Sequence, residues 1–142
     1  MRKLLFLALF NLIITGCGND SKKGLISYAQ NTDLKASIAR GEELYNDLCI
    51  TYHLANGEGV EGVFPPLKAS DYLKNNQDLS IKAVKYGMSG EIIVNDVTYN
   101  NVMTSQGLSD KEVADIMNYI NNSWGNKFGP EVTIEKVIKI TP

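Results

Sequence analysis

The chain has 142 residues, 44% of them hydrophobic and 21% charged, with a formal net charge of −2. That length and apolar content suit one folded domain with a moderate core and exclude a disordered chain. The acidic balance, with no basic patch or stripe, argues against nucleic acid as a partner.

Residues 1–16 read as an address rather than as structure. Arg2 and Lys3 precede an apolar run from Leu4 to Ile14, broken only by Asn11. The run is shorter than the ~20 residues of a membrane-spanning helix and matches the core of a secretory signal. It ends at Ile14-Thr15-Gly16-Cys17, which resembles the bacterial lipobox. That resemblance implies a lipoprotein signal peptide over 1–16, with lipid on Cys17 as the new N-terminus. Residues 17–36 are then expected as a tether and loosely ordered lead-in, and 37–142 as the folded domain. The expected location is the bacterial cell envelope, lipid-anchored and facing the periplasm or the exterior. With Cys17 consumed, Cys49 has no internal disulfide partner.

Ser37 can cap a helix over Ile38–Cys49, in which Ile38, Leu44, Tyr45, Leu48 and Cys49 share a broad face. Gly41 lies on that face; an exposed helical glycine costs ~1 kcal/mol, and close approach by another helix would compensate. Gly57, Gly59 and Gly62, followed by Phe64-Pro65-Pro66-Leu67, predict a wrapping loop. A helical turn over 70–75 and a helix over 78–86 ending at Gly87 come next. Glu91–Val94 and Val97–Tyr99, separated by Asn95-Asp96, predict a hairpin. Asn100–Gly107 reads as a polar loop holding Met103. Ser109 and Glu112 form a capping box for a helix whose stripe is Val113, Ile116, Met117, Ile120 and Trp124, with Gly125 ending it. Thr133 can start a last short helix through Ile138.

The chemistry concentrates at Cys49-Ile50-Thr51-Tyr52-His53. It is one position away from Cys-x-x-Cys-His, in which two thiols attach haem and the histidine ligates iron. Tyr52 stands where the second thiol belongs. His53 is the single histidine of the chain. Gly41, Tyr45 and Cys49 at four-residue spacing, the Gly57–Leu67 loop, Gly87–Gly90 through Met103, and Ile116–Tyr119 together resemble the class I monohaem cytochromes c, of the small bacterial lipoprotein type.

That resemblance implies an all-α fold, three to four helices around a haem with one small β-hairpin, and Tyr119 packed over Gly41. It implies one haem c, bound covalently through Cys49 by a single thioether. His53 would be the proximal ligand, its ring held by the carbonyl of Pro65 or Pro66. Met103 is the chosen sixth ligand, Met88 the rival, and Met117 is read as core. It further implies an electron carrier without catalytic residues, serving redox partners at the membrane as partner or subunit of a respiratory reductase or oxidase. The competing reading is a haem-free, degenerate cytochrome-fold module with a binding or structural role.

Overall fold

The structure, a computed structural model, describes residues 20–142. The expected signal sequence and the lipidation site at Cys17 lie outside the described residues.

Helix α1 spans Asp20–Leu48, and its hydrogen bonding continues through Cys49 into a single turn, α2, Ile50–His53. The lead-in expected to be loose is therefore helical from Asp20. Ser37 is not an N-cap, because helix precedes it; its Oγ instead donates to Asp115 Oδ1 at 2.6 Å. Among the described residues no helix is long and apolar enough to cross a membrane.

Helix α3, Asp71–Asn75, is capped by Ser70 Oγ, which accepts from the Leu73 N–H. Helix α4, Gln77–Tyr86, stops at Gly87, whose φ of 81° suits a residue without Cβ. Gly87–Met88 form a short strand β1. Strands β2, Ile92–Val94, and β3, Val97–Tyr99, make the expected hairpin, with Val94 opposite Val97. Asn95 and Asp96 take φ of 50° and 64°, the left-handed pair of a two-residue turn. Met103 is not in a free loop. With Thr104 it forms β4, which pairs antiparallel with β1. Polar neighbours hid that ladder, since a two-residue strand leaves no alternation to detect.

Helix α5, Asp110–Asn122, carries the capping box at Ser109 and Glu112. It ends two residues short of Trp124, whose φ of 53° turns the chain back. The Asn126 side chain donates to the Ile120 carbonyl and Phe128 N–H to that of Asn121, so two of the helix's last carbonyls are satisfied. Helix α6, Ile134–Lys139, starts from Thr133 as expected.

Every residue from Val113 to Asn121 is buried, so α5 is the axis of the fold rather than an amphipathic surface helix. Gly41 makes this possible. A Cβ there would lie 2.0 Å from the Asp115 carbonyl oxygen and 2.8 Å from Tyr119 Cβ. The close crossing brings Tyr45, Tyr119 and Trp124 into one aromatic cluster, with centroids 5.2–5.4 Å apart.

The polar residues in α5 are all partnered, and among the described residues no buried side-chain N or O lacks a hydrogen bond. Asp115, 3% exposed, accepts from Ser37, from Arg40 through Nε at 2.7 Å and Nη2 at 2.8 Å, and from Lys111 at 2.7 Å. Burial works to raise its carboxyl, but the hydrogen bonds from Arg40, Lys111 and Ser37 outweigh it and hold the group below its ordinary 3.8. A depressed folded-state value means that the unfolded chain binds more protons across this window. The stabilisation is present above about pH 4 and is lost as pH falls through the folded-state value. Urea midpoints measured across acid pH should therefore fall more steeply for the native chain than for Asp115→Asn.

Candidate haem site

The Gly57–Leu67 loop folds back against the end of α1. Trp124 covers Gly57, where a Cβ would lie 2.6 Å from the indole ring, and its Nε1–H donates to the Ala55 carbonyl at 3.1 Å. The Gly57 carbonyl accepts from Leu67 and Lys68 N–H, both at 2.8 Å, closing the loop on itself. Asn126 pins the far end, donating to the Leu67 carbonyl and accepting from Ala69 N–H. Gly59, at φ 62°, packs so tightly that a Cβ would sit 2.3 Å from Phe64 O and 2.7 Å from Pro65 O.

This wrapping carries the Pro65 carbonyl to His53, whose Nδ1 lies 3.0 Å away. Of the two prolines, Pro65 makes that contact, while Pro66 lines the cavity beyond it. A carbonyl only accepts, so Nδ1 carries the proton and Nε2 presents a lone pair. Burial lowers the His53 pKa, against the opposing pull of the Pro65 bond, so the ring is neutral near pH 7.

His53 and Cys49 open on a cleft with two lobes, one of about 210 Å³ and one of about 70 Å³. Six residues line both lobes: Cys49, His53, Pro65, Met88, Ile92 and Met103. The remaining walls are largely apolar, including Val63, Phe64 and Tyr99 on one side and Leu73, Ile116 and Ile120 on the other. Burial pushes the Cys49 thiol up to about 11, so it is protonated and slow in disulfide exchange.

Tyr52 lines only the larger lobe. Its ring is 49% exposed and packs edge-on against Phe64, with centroids 5.3 Å apart. The phenol therefore occupies the rim and leaves the space beside Cys49 and His53 open. Met117, read as core, is fully buried in α5 and also lines the smaller lobe.

The donor set is one imidazole nitrogen, one thiol and three thioethers in an apolar slot, Met88 and Met103 lining both lobes and Met117 the smaller lobe alone. Among the described residues, no group of three or more His, Cys, Asp and Glu could hold a bare metal ion. A haem iron brings four equatorial nitrogens of its own and needs only axial ligands from the protein. The residues present fit that group.

The family profile of cytochrome c matches residues 38–124, well over half of the chain. The chain belongs to the cytochrome c family.

Its class I fold follows, as do haem c as the implied cofactor and electron transfer as the role. A cytochrome c-552 of Thermus thermophilus is 33% identical over 110 residues, 74% of this chain and 74% of that one. A second Thermus thermophilus cytochrome c-552 is 36% identical over 93 residues, 62% of this chain and 70% of the relative. The cytochrome c subunit of a quinone alcohol dehydrogenase from Gluconacetobacter polyoxogenes is 30% identical over 104 residues, 70% of this chain but 22% of that subunit.

Gly59 was legible as one glycine of the wrapping loop, but nothing local distinguished it from Gly57 and Gly62 as the one packed against Phe64 and Pro65. Asn126, just after α5, was not singled out by the sequence, since its partners in the site loop are 57 to 59 residues away.

Proposed function

We propose that this protein is a membrane-tethered monohaem electron carrier. His53 and Met103 are the axial ligands, and Cys49 holds the haem by a single thioether. When bound, the haem supplies a one-electron couple buried in apolar surroundings, and a filled axial pair favours electron transfer over substrate binding. The observation that carries the reading is the pinned imidazole. The His53 Nδ1–H is committed to Pro65, which leaves Nε2 for iron in a cleft shared with Cys49 and Met103.

Each residue of this chain has a limited task. Pro65 fixes the ring tautomer and strengthens His53 as a donor. Cys49 fixes the cofactor by one edge, and the apolar walls exclude water and contribute at ~25 cal/mol per Å² of covered surface. Tyr52 shields the rim in place of a second thioether.

The lipobox-like Thr15-Gly16-Cys17 supports lipidation at Cys17 and a place in the bacterial envelope, facing the periplasm or exterior. A lipid restricts encounters to the membrane surface, which favours membrane-bound redox proteins as donor and acceptor. Kinship with dehydrogenase cytochrome subunits points the same way.

The test is expression of the full chain together with cytochrome c maturation functions, followed by denaturing electrophoresis, haem staining and the pyridine haemochrome spectrum. The expected result is covalent haem with an α-band at longer wavelength than that of a doubly attached haem, because one vinyl stays conjugated. Cys49→Ala should abolish the stain. A protein that takes up no haem, covalent or otherwise, overturns the reading. In the same system Tyr52→Cys should raise the covalent yield several-fold, since it restores the two-thiol motif; an unchanged yield would show that attachment is not limited there.

A further inference from the structure

The β1–β4 ladder places Met88 directly opposite Met103. Directly opposed residues of an antiparallel pair project to the same face, with Cβ atoms ~4.5–5.5 Å apart. Both side chains line both lobes of the cleft with His53 and Cys49. A methionine has three rotatable bonds beyond Cα, so two neighbouring thioethers can bring either sulfur to a common point. Nothing in apolar packing requires a matched pair there, since any aliphatic residue would fill the slot.

The two are anchored differently. Met88 directly follows the Gly87 cap of α4, where the Gly87 N–H donates to the Ala83 carbonyl. Met103 lies between Val102, 70% exposed, and an exposed segment through Gly107. The ladder that aligns them depends on Gly87, where a Cβ would lie 2.6 Å from the Met103 carbonyl oxygen.

We propose that Met88 and Met103 form a distal pair in which either sulfur serves as the sixth ligand, so that Met88 takes the position when Met103 leaves it. This rests on the haem reading above and adds to it a second donor. Exchange breaks one iron–sulfur bond and makes another, moving no proton and no electron. The better-anchored Met88 keeps the site closed to water and small ligands while the Met103 segment moves.

The test uses the haem-loaded full chain and the volume-conserving variants Met103→Leu, Met88→Leu and the double variant. The readouts are the sulfur-to-iron charge-transfer band of the oxidised protein and the upfield-shifted methionine methyl resonance of the reduced one. Each single variant should keep both signatures and a low-spin spectrum, and the double variant should lose both and turn high-spin. A double variant that keeps them would draw its sulfur from Met117, which lines the smaller lobe, and overturns the proposal. Loss of both signatures in Met103→Leu alone overturns the proposal and leaves Met103 as sole sulfur ligand. Their absence from the haem-loaded native protein overturns it as well, with covalent haem intact. A native chain that binds no haem overturns the underlying reading instead, and the staining experiment registers that failure separately.

Discussion

Replacing Gly41 with alanine is expected to destabilise the protein by more than about 3 kcal/mol, a fall in Tm of roughly 10 °C or more. The added Cβ meets the Asp115 carbonyl oxygen at 2.0 Å and Tyr119 Cβ at 2.8 Å. Neither neighbour is the loose end of a side chain. The Asp115 carbonyl belongs to the backbone of the most buried helix, so α1 must retreat. Retreat separates Tyr45 from Tyr119 and stretches the Ser37 and Arg40 bonds to Asp115, so the losses compound. Gly62→Ala is the control: its φ is 70° but nothing lies within 4 Å of the new Cβ. It should cost only the left-handed backbone penalty of ~1–2 kcal/mol. Thermal melts of the two variants compare the effects directly, and equal losses would show that the helix crossing is not the reason for glycine at 41.

The second large effect concerns the site. Gly59→Ala should weaken non-covalent haem binding by about 10- to 100-fold, the usual cost of disturbing the group that orients a metal-bound histidine. Its Cβ would lie 2.3 Å from Phe64 O and 2.7 Å from Pro65 O, and φ is 62°. The nearest relief moves the backbone of Phe64 and Pro65 away from residue 59. The Pro65 carbonyl then no longer meets His53 Nδ1. Spectroscopic haem titration of Gly59→Ala in a Cys49→Ala background gives the affinity without the thioether. Gly62→Ala again serves as control, since it shares the left-handed backbone without the contact. If both glycine variants weaken haem equally, loop strain rather than the Pro65 carbonyl is responsible.

Much of this molecule was legible in its sequence where the signal is local. The capping box at Ser109, the Asn95-Asp96 hairpin, the Gly87 helix stop and the Thr133 cap each depend on neighbours within a few residues, and each lies where the residues put it. The family resemblance added longer reach, placing Tyr119 over Gly41 across the chain. What stayed hidden was set by distant partners. Ser37 looked like a cap because hydroxyls at helix starts are common, yet its acceptor is Asp115, 78 residues on. The β1–β4 ladder is two residues long and joins segments that look like loops by themselves. Asp115, Asn118 and Asn121 lie off the apolar stripe of α5, where solvent would be expected, yet each is buried and partnered. For the site, Cys49, His53 and the proline loop were visible as motif; which proline meets the ring, and which rim position Tyr52 takes, depended on the packing of Gly59 and Phe64.

The pairing of α1 with α5 also sets an order of events in time. A chain is made from its N-terminus, so Arg40 and Ser37 exist long before Asp115 can reach them. Until α5 docks, Tyr45 has no Tyr119 to pack against, the Gly57 loop has no Trp124 over it, and Cys49 and His53 are held by nothing distant. Such long-range closure is slow compared with helix formation. The unfolded chain thus passes through an interval in which the Cys49–His53 segment is accessible, and the arrival of α5 ends it. Any enzyme that must grip this segment has to act before that closure, so the stability of the α1–α5 crossing and the efficiency of attachment pull against each other.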